Sequence, residues 1–314
     1  MRNGLRGLAV ILSMSFCLSV FPARILSADS KGTCGDGVKW EIEGDKLSIS
    51  YTGSGTGVMD NYNDEIEEKI DKAGGDEEYI YHYNYPWQAY RNSISEVIVS
   101  EGVTTIGNHA FAMLTNLKKV AIPEGVTLIG KEAFEQSGSG NPEGFDVVIP
   151  GTVTSICDYA FNGAYLRRVV IKNGVASIGE GTFMDCNLLT SIVIPASVVT
   201  IGNFAFYRCK GLVKVTGGAK LEKIGTSAFA FCPKLKTFVI TSGVLNKIGA
   251  YAFNEDKKLT VISIKKTTRL SGTGVEKSLK GSFVKKVKVK ANKVKRYKKV
   301  FKGSVTGRTV TVKR

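Results

Sequence analysis

The phrase I-G-x-x-A-F recurs at nearly constant spacing, and nothing else in the chain limits the fold as much. Its Ile stands at Ile106, Ile129, Ile156, Ile178, Ile201, Ile224 and Ile248, at intervals of 23, 27, 22, 23, 23 and 24 residues. The aromatic five positions on is always Phe, from Phe111 to Phe253; the residue before it is Ala except at Thr182, and the Gly is replaced only at Cys157. A second phrase, L-x-x-V-x-I, keeps step with the first. Its central position is Val97, Val120, Val147, Val169, Ile192, Val215, Phe238, Ile262 and Val287. Two phrases in register at one period mark stacked structural repeats. V-x-I alternates with period two and reads as a short strand with Val and Ile inward. Pro123, Pro150 and Pro195 stand where the strand stops, because Pro has no N–H to give a ladder. The Gly permits positive φ or close backbone approach, and A-F then sits on a short helical turn or tight loop. One unit cannot bury its own apolar side. Stacked about 4.8 Å from its neighbour, it shares a continuous core, so the expected fold is a repeat solenoid of parallel short strands and short helical turns.

The unit L-x-x-V-x-I-P…V-x-x-I-G-x-x-A-F-x-x-C resembles the BspA-like leucine-rich repeats of bacterial surface proteins, over about residues 94–290. The opening "GTCGDGVKWEIEGDKLSIS" (Gly32–Ser50) and the stretch Pro86-Trp87…Tyr90-Arg91 resemble the segments that lead into such repeats. The resemblance implies a leucine-rich-repeat-like, curved solenoid used for extracellular binding or adhesion, a bacterial source, and no catalysis by the repeats.

Four segments follow. Residues 1–28 read as a secretory signal peptide: Arg2 and Arg6 precede a 14-residue apolar run, Leu8–Phe21, too short to span a bilayer comfortably. Residues 29–93 read as a β-rich N-terminal cap with an acidic insert. In it, "KWEIEGDKLSIS" reads as a hairpin turning at Gly44-Asp45. "DEIEEKIDKAGGDEE", with Ile66 and Ile70 at i, i+4, reads as a short exposed helix or a disordered insert. The aromatic stretch Tyr79–Tyr90 covers the first coil, with Trp40 and Trp87 as anchors, since a solenoid's terminal unit must be closed; a sugar-binding platform is the alternative. Residues 94–265 are the regular coils. Residues 266–314 read as a degenerate last repeat and a basic cap, with Val284, Val287 and Val289 inward, a helical stripe of Val294, Tyr297, Val300 and Phe301, and a return to strand in "RTVTVKR".

Beyond the signal segment stand Cys34, Cys157, Cys186, Cys209 and Cys232; the last three fall eight residues after a repeat Ile and should form a column. Packing of a small apolar side chain accounts for them, while pairing of neighbours stays open. Charge is uneven. Residues 257–314 carry a net +19 and residues 1–256 a net −4, which together give the chain's +15. Nine carboxylates lie in Asp60–Glu78.

No catalytic constellation stands out. The two histidines, His82 and His109, lie in different segments, and His109, at a variable position of its phrase, is expected on the surface. "GSGTG" (Gly53–Gly57) lacks the Lys-Ser/Thr and strand-to-helix setting of a phosphate loop and reads as a turn. No enzyme activity, metal or cofactor is expected. Residues flanking the inward Val and Ile of each strand point outward and stack into two columns. From these the candidate binding residues are Lys119, Ala121, Val148, Arg168, Val170, Ser191, Val193, Lys214 and Val239. The basic end adds a candidate polyanion patch, Lys293, Lys295, Arg296, Lys298 and Lys299, against a plain solvated face.

The expected protein is therefore secreted or cell-surface, and mediates adhesion by binding an extracellular protein or glycan, host matrix included, through its solenoid face. The alternative is a wall-associated structural protein held by anionic wall polymers at its basic end. Neither nucleic-acid binding nor a transmembrane span is expected.

Overall fold

The computed structural model describes residues 30–71, 77–264, 270, 275, 277–289, 292, 294–301 and 311–313, with side chains left out at 64–71 and 77–82. The expected signal peptide and Lys293 lie outside these residues. Each coil contributes two strands to a parallel solenoid. The L-x-x-V-x-I phrase forms the longer ones, Glu96–Val99, Lys119–Ala121, Phe145–Ile149, Leu166–Ile171, Ser191–Ile194, Lys214–Gly217, Thr237–Ile240, Val261–Ser263 and Lys286–Lys288. The residues ending in the repeat Ile form two-residue strands, from Thr105–Ile106 to Lys247–Ile248. Equivalent residues stand side by side: Val97 opposite Val120, Val147 opposite Val169, Val215 opposite Phe238, and Ile129 between Ile106 and Ile156. In-register stacking of like residues puts Val, Ile and Leu in files that are buried almost throughout.

The longer column has one break. No ladder joins Leu166–Ile171 to Ser191–Ile194, so the strands divide into a fifteen-stranded and a six-stranded sheet. The strand before the break is irregular: Phe145 faces Leu166 while Asp146 faces Arg168, leaving Arg167 as an extra residue.

The A-F phrase forms tight turns. The residue before the Ala is left-handed at His109, Glu132, Tyr159, Phe204, Ser227 and Tyr251, with φ between 51° and 58°, and so is the second residue after the Phe at Met113, Gln136, Asp185, Arg208, Phe231 and Glu255. Non-glycine residues rarely adopt this conformation. Here it aims alternate amides along the stack. His109, Phe111 and Met113 N–H groups donate to the carbonyls of Lys131, Ala133 and Glu135 at 2.9, 2.7 and 2.7 Å, and Phe206 and Arg208 repeat this to Ala228 and Ala230. The Gly of I-G is itself outside the left-handed region. Its role is the other one expected, close approach: a Cβ on Gly107 would stand 1.7 Å from the Asp60 carbonyl oxygen.

The Phe side chains form one file. Ring centroids run from Phe111 to Phe134, Phe161, Phe183, Phe206, Phe229 and Phe253 at 5.2, 4.9, 5.5, 5.2, 5.1 and 6.1 Å, and all seven are fully buried. Offset stacking of this kind adds to the area buried. The column eight residues after the repeat Ile has a polar duty beside its packing. Thiols of Cys186, Cys209 and Cys232 donate to the carbonyls of Phe161, Phe183 and Phe206 at 3.1, 3.0 and 3.2 Å; Ser137 donates in the same way to Phe111. All five described cysteines are free thiols, and burial pushes the three column thiols up, away from the reactive thiolate.

At the N-terminal end, strands Val38–Glu43 and Lys46–Tyr51 form the hairpin expected around Gly44. The second runs parallel to Glu96–Val99, while Val58–Met59 runs beside Thr105–Ile106. This segment therefore extends both strand columns. Trp40 lies 5.9 Å from Trp87, and Trp87 stacks at 5.9 Å on Phe111. The acidic insert is neither a helix nor structureless: Asp64–Asp71 and Glu77–Tyr83 form an antiparallel hairpin. Isoleucines four apart satisfy a period of two as well as 3.6, and Tyr79-Ile80-Tyr81 supplies a strand-forming partner. At the other end, Lys286–Lys288 and Thr311–Lys313 continue the sheet. Helix Val294–Val300 buries Tyr297, and Phe301, Val284, Val287 and Val289 are buried too.

Candidate binding surfaces

The strand register carries the outward residues into rows. Glu96, Lys119, Asp146 and Arg168 are successive neighbours in one row, and Ser191, Lys214 and Thr237 continue it beyond the break. Val148 faces Val170 in the other row, and Val193 faces Thr216, which faces Val239. Exposure is uneven. Val193 is 64% and Val148 46% exposed, whereas Ala121, Val170 and Val239 are half-buried.

Charges in this region are partly paired. Lys119 binds the Glu96 carboxylate. Arg167, not Arg168, grips Asp146 with two hydrogen bonds of 2.9 and 3.1 Å, because the irregularity in its strand turns two consecutive arginines outward. Lys172 reaches Glu124 at 2.7 Å. Where the ladder breaks, a groove of about 680 Å³ opens between the two strands, lined by Arg168, Val170, Lys172, Ser191 and Val193 among others. The break has no counterpart in the repeat phrases, so nothing in them announces it.

A second surface lies on the turns. Phe204 packs edge-on against Tyr207 at 5.6 Å, and Tyr207 against Phe231 at 5.4 Å. Phe231 is 40% exposed and borders a depression of about 440 Å³ with Arg208, Lys210 and Lys257. The signal for it was the appearance of aromatics at variable positions of consecutive repeats. On the terminal helix, Lys295, Arg296, Lys298 and Lys299 are all exposed, and the helix carries no acidic residue. His109 departs from the expected surface position. It is 5% exposed, because its left-handed turn tucks the imidazole between Tyr83, 5.7 Å away, and Glu132.

A parallel solenoid of 22–27-residue units, with one strand phrase and one turn phrase per coil, defines a leucine-rich repeat scaffold. The BspA-type leucine-rich repeat region matches in six copies across residues 87–188, 141–260 and 178–306, and the chain belongs to that family. Among solved structures, the chain is similar to a leucine-rich repeat protein from Eubacterium ventriosum, with 19% identity, 82% of this chain and 85% of that one covered, and a TM-score of 0.36. It is also similar to the T. pallidum leucine-rich repeat protein, at 20% identity, 71% and 88% coverage and a TM-score of 0.40. A third is a leucine-rich cell surface protein from Faecalibacterium prausnitzii, at 19% identity, 82% and 88% coverage and a TM-score of 0.27. No curated protein matches the sequence. Among the described residues no helix is long and apolar enough to cross a membrane.

Proposed function

We propose that the chain is a secreted or cell-surface adhesion protein that binds an extracellular protein or glycan through its strand face and catalyses no reaction. The observation that carries this reading is the pair of outward rows, with Val148 and Val193 exposed between Lys119, Arg168 and Lys214. Solvated strands tolerate single valines. A run of them bordered by charge, beside a groove with broken backbone pairing, suits a partner that covers apolar surface and meets cations at the rim. The test is capture of matrix proteins, mucins and wall fractions by the purified chain and by V148E/V170E/V193E. Loss of capture with an unchanged circular dichroism spectrum supports the reading; undiminished capture by the folded triple variant defeats it.

A second reading rests on a different observation, the four exposed cations of helix Val294–Val300 without a carboxylate among them. In it, the basic end retains the protein on anionic wall polymers. Retention should then fall steeply with salt and vanish in K295E/R296E/K298E/K299E, while V148E/V170E/V193E leaves it unchanged.

A further inference from the structure

His109 and Glu132 hold the same place in consecutive repeats, the position before the Ala of I-G-x-x-A-F, so stacking makes them neighbours. His109 Nδ1 lies 3.4 Å from Glu132 Oε2. With a carboxylate oxygen of Glu135, one ligand-type atom from each of the three residues lies within 4.8 Å of the others. His109 is buried, and the Glu132 side chain is 15% exposed. We propose that His109, Glu132 and Glu135 form a divalent-cation site for an ion that takes nitrogen and oxygen ligands, zinc or manganese(II).

Geometry, charge and chemistry converge on this. Ligands about 2.0–2.1 Å from a tetrahedral ion stand about 3.4 Å from one another. The His109–Glu132 separation already has that value, and a carboxylate oxygen of Glu135 lies within 4.8 Å of both. Two carboxylates converge beside the imidazole of His109. Lys131, with its Nζ 2.9 Å from Glu132 Oε1, offsets one of their charges, and the negative charge that is left still favours a cation. Lys131 engages Oε1 of Glu132, whereas His109 lies against Oε2. The third ligand is held from outside: Asn162 Nδ2 donates to Glu135 Oε1 at 2.9 Å, and the Tyr83 hydroxyl stands 3.5 Å from Oε2. Such orienting contacts are what metal ligands need. A ligand set of one imidazole and two carboxylates, without thiolate, selects against soft ions. Because His109 belongs to one coil and Glu132 and Glu135 to the next, a bound ion clamps the first two coils together beneath the N-terminal cap.

The experiment is titration of the untagged, metal-stripped chain with zinc chloride and manganese chloride, read by calorimetry and by the unfolding temperature, alongside H109N, E135Q and the exposed control E101Q. One ion per chain is expected, with a raised unfolding temperature, an affinity lowered about tenfold or more in H109N and E135Q, and no change in E101Q. Cobalt(II) bound to the parent chain should give visible bands of a nitrogen and oxygen ligand set. That readout holds even where a variant does not fold. Absence of saturable binding, equal affinity in folded H109N and E135Q, or intense sulfur-to-cobalt bands would each overturn the site.

Discussion

The indole N–H of Trp87 donates to the carbonyl oxygen of Ala110 over 3.0 Å. In every later junction of regular coils, the equivalent carbonyl receives the amide of a Phe one coil upstream, as Ala160 does from Phe134. The Tyr85 hydroxyl does the same for Ala112 at 2.8 Å, and the Tyr62 amide for Asn108 at 3.0 Å. Three side-chain and backbone donors thus stand in for the missing upstream turn. In W87F the Ala110 carbonyl keeps its burial and loses its donor, which should cost about 1–3 kcal/mol in urea unfolding. A change below the error of that measurement would show that the bond does not hold the cap.

Gly225 makes a second case for backbone proximity. An added Cβ would lie 2.4 Å from the Asn203 amide nitrogen and from the Gly202 carbonyl group. The φ angle there is outside the left-handed region, so Ala has no conformational objection and elsewhere would gain from a stiffer unfolded chain. G225A should nevertheless lose about 1–3 kcal/mol from overpacking between coils. A variant as stable as the parent would mean the coils spread without cost.

Asp256 occupies the position that Cys186, Cys209 and Cys232 hold in the preceding coils. Its Oδ1 accepts the Cys232 amide at 2.8 Å. Burial pushes its carboxyl well above the usual range; the Cys232 hydrogen bond opposes the shift and the Glu255 charge adds to it. An unfolded Asp loses its proton near pH 3.9, at about the model-peptide value, while the folded one keeps it to higher pH. Between those two values the folded state binds more protons, so stability declines as pH rises. D256N has no such proton to lose. It should gain on the parent progressively as pH rises above about 4 in thermal unfolding; parallel pH dependences for the two chains would refute the assignment.

Much of the fold is legible because the side-chain period and the coil period coincide. Val97 to Val287 and Phe111 to Phe253 recur at one step, and residues that recur at one step are stacked by any solenoid. The acidic insert was not legible, since Ile66 and Ile70 fit helix and strand alike. His109 was misread for a related reason: its position is variable in sequence, and variability usually marks exposure, but a left-handed turn beside the cap encloses it. The outward rows were legible as rows. The groove beside Arg168 and Val193 was not, because it lies where the ladder between two strands is missing although both strand phrases look regular.

The repeat phrases by themselves determined the coil, its inward residues and the order of the stack, since periodic burial is a property of local pattern. Tertiary structure alone decided where the stack's pairing fails, which donors close its first turn, and that His109 meets Glu132 and Glu135. Those outcomes depend on contacts between residues 23 or more apart, set by how one coil seats on the next, and no pattern within a single coil encodes that seating.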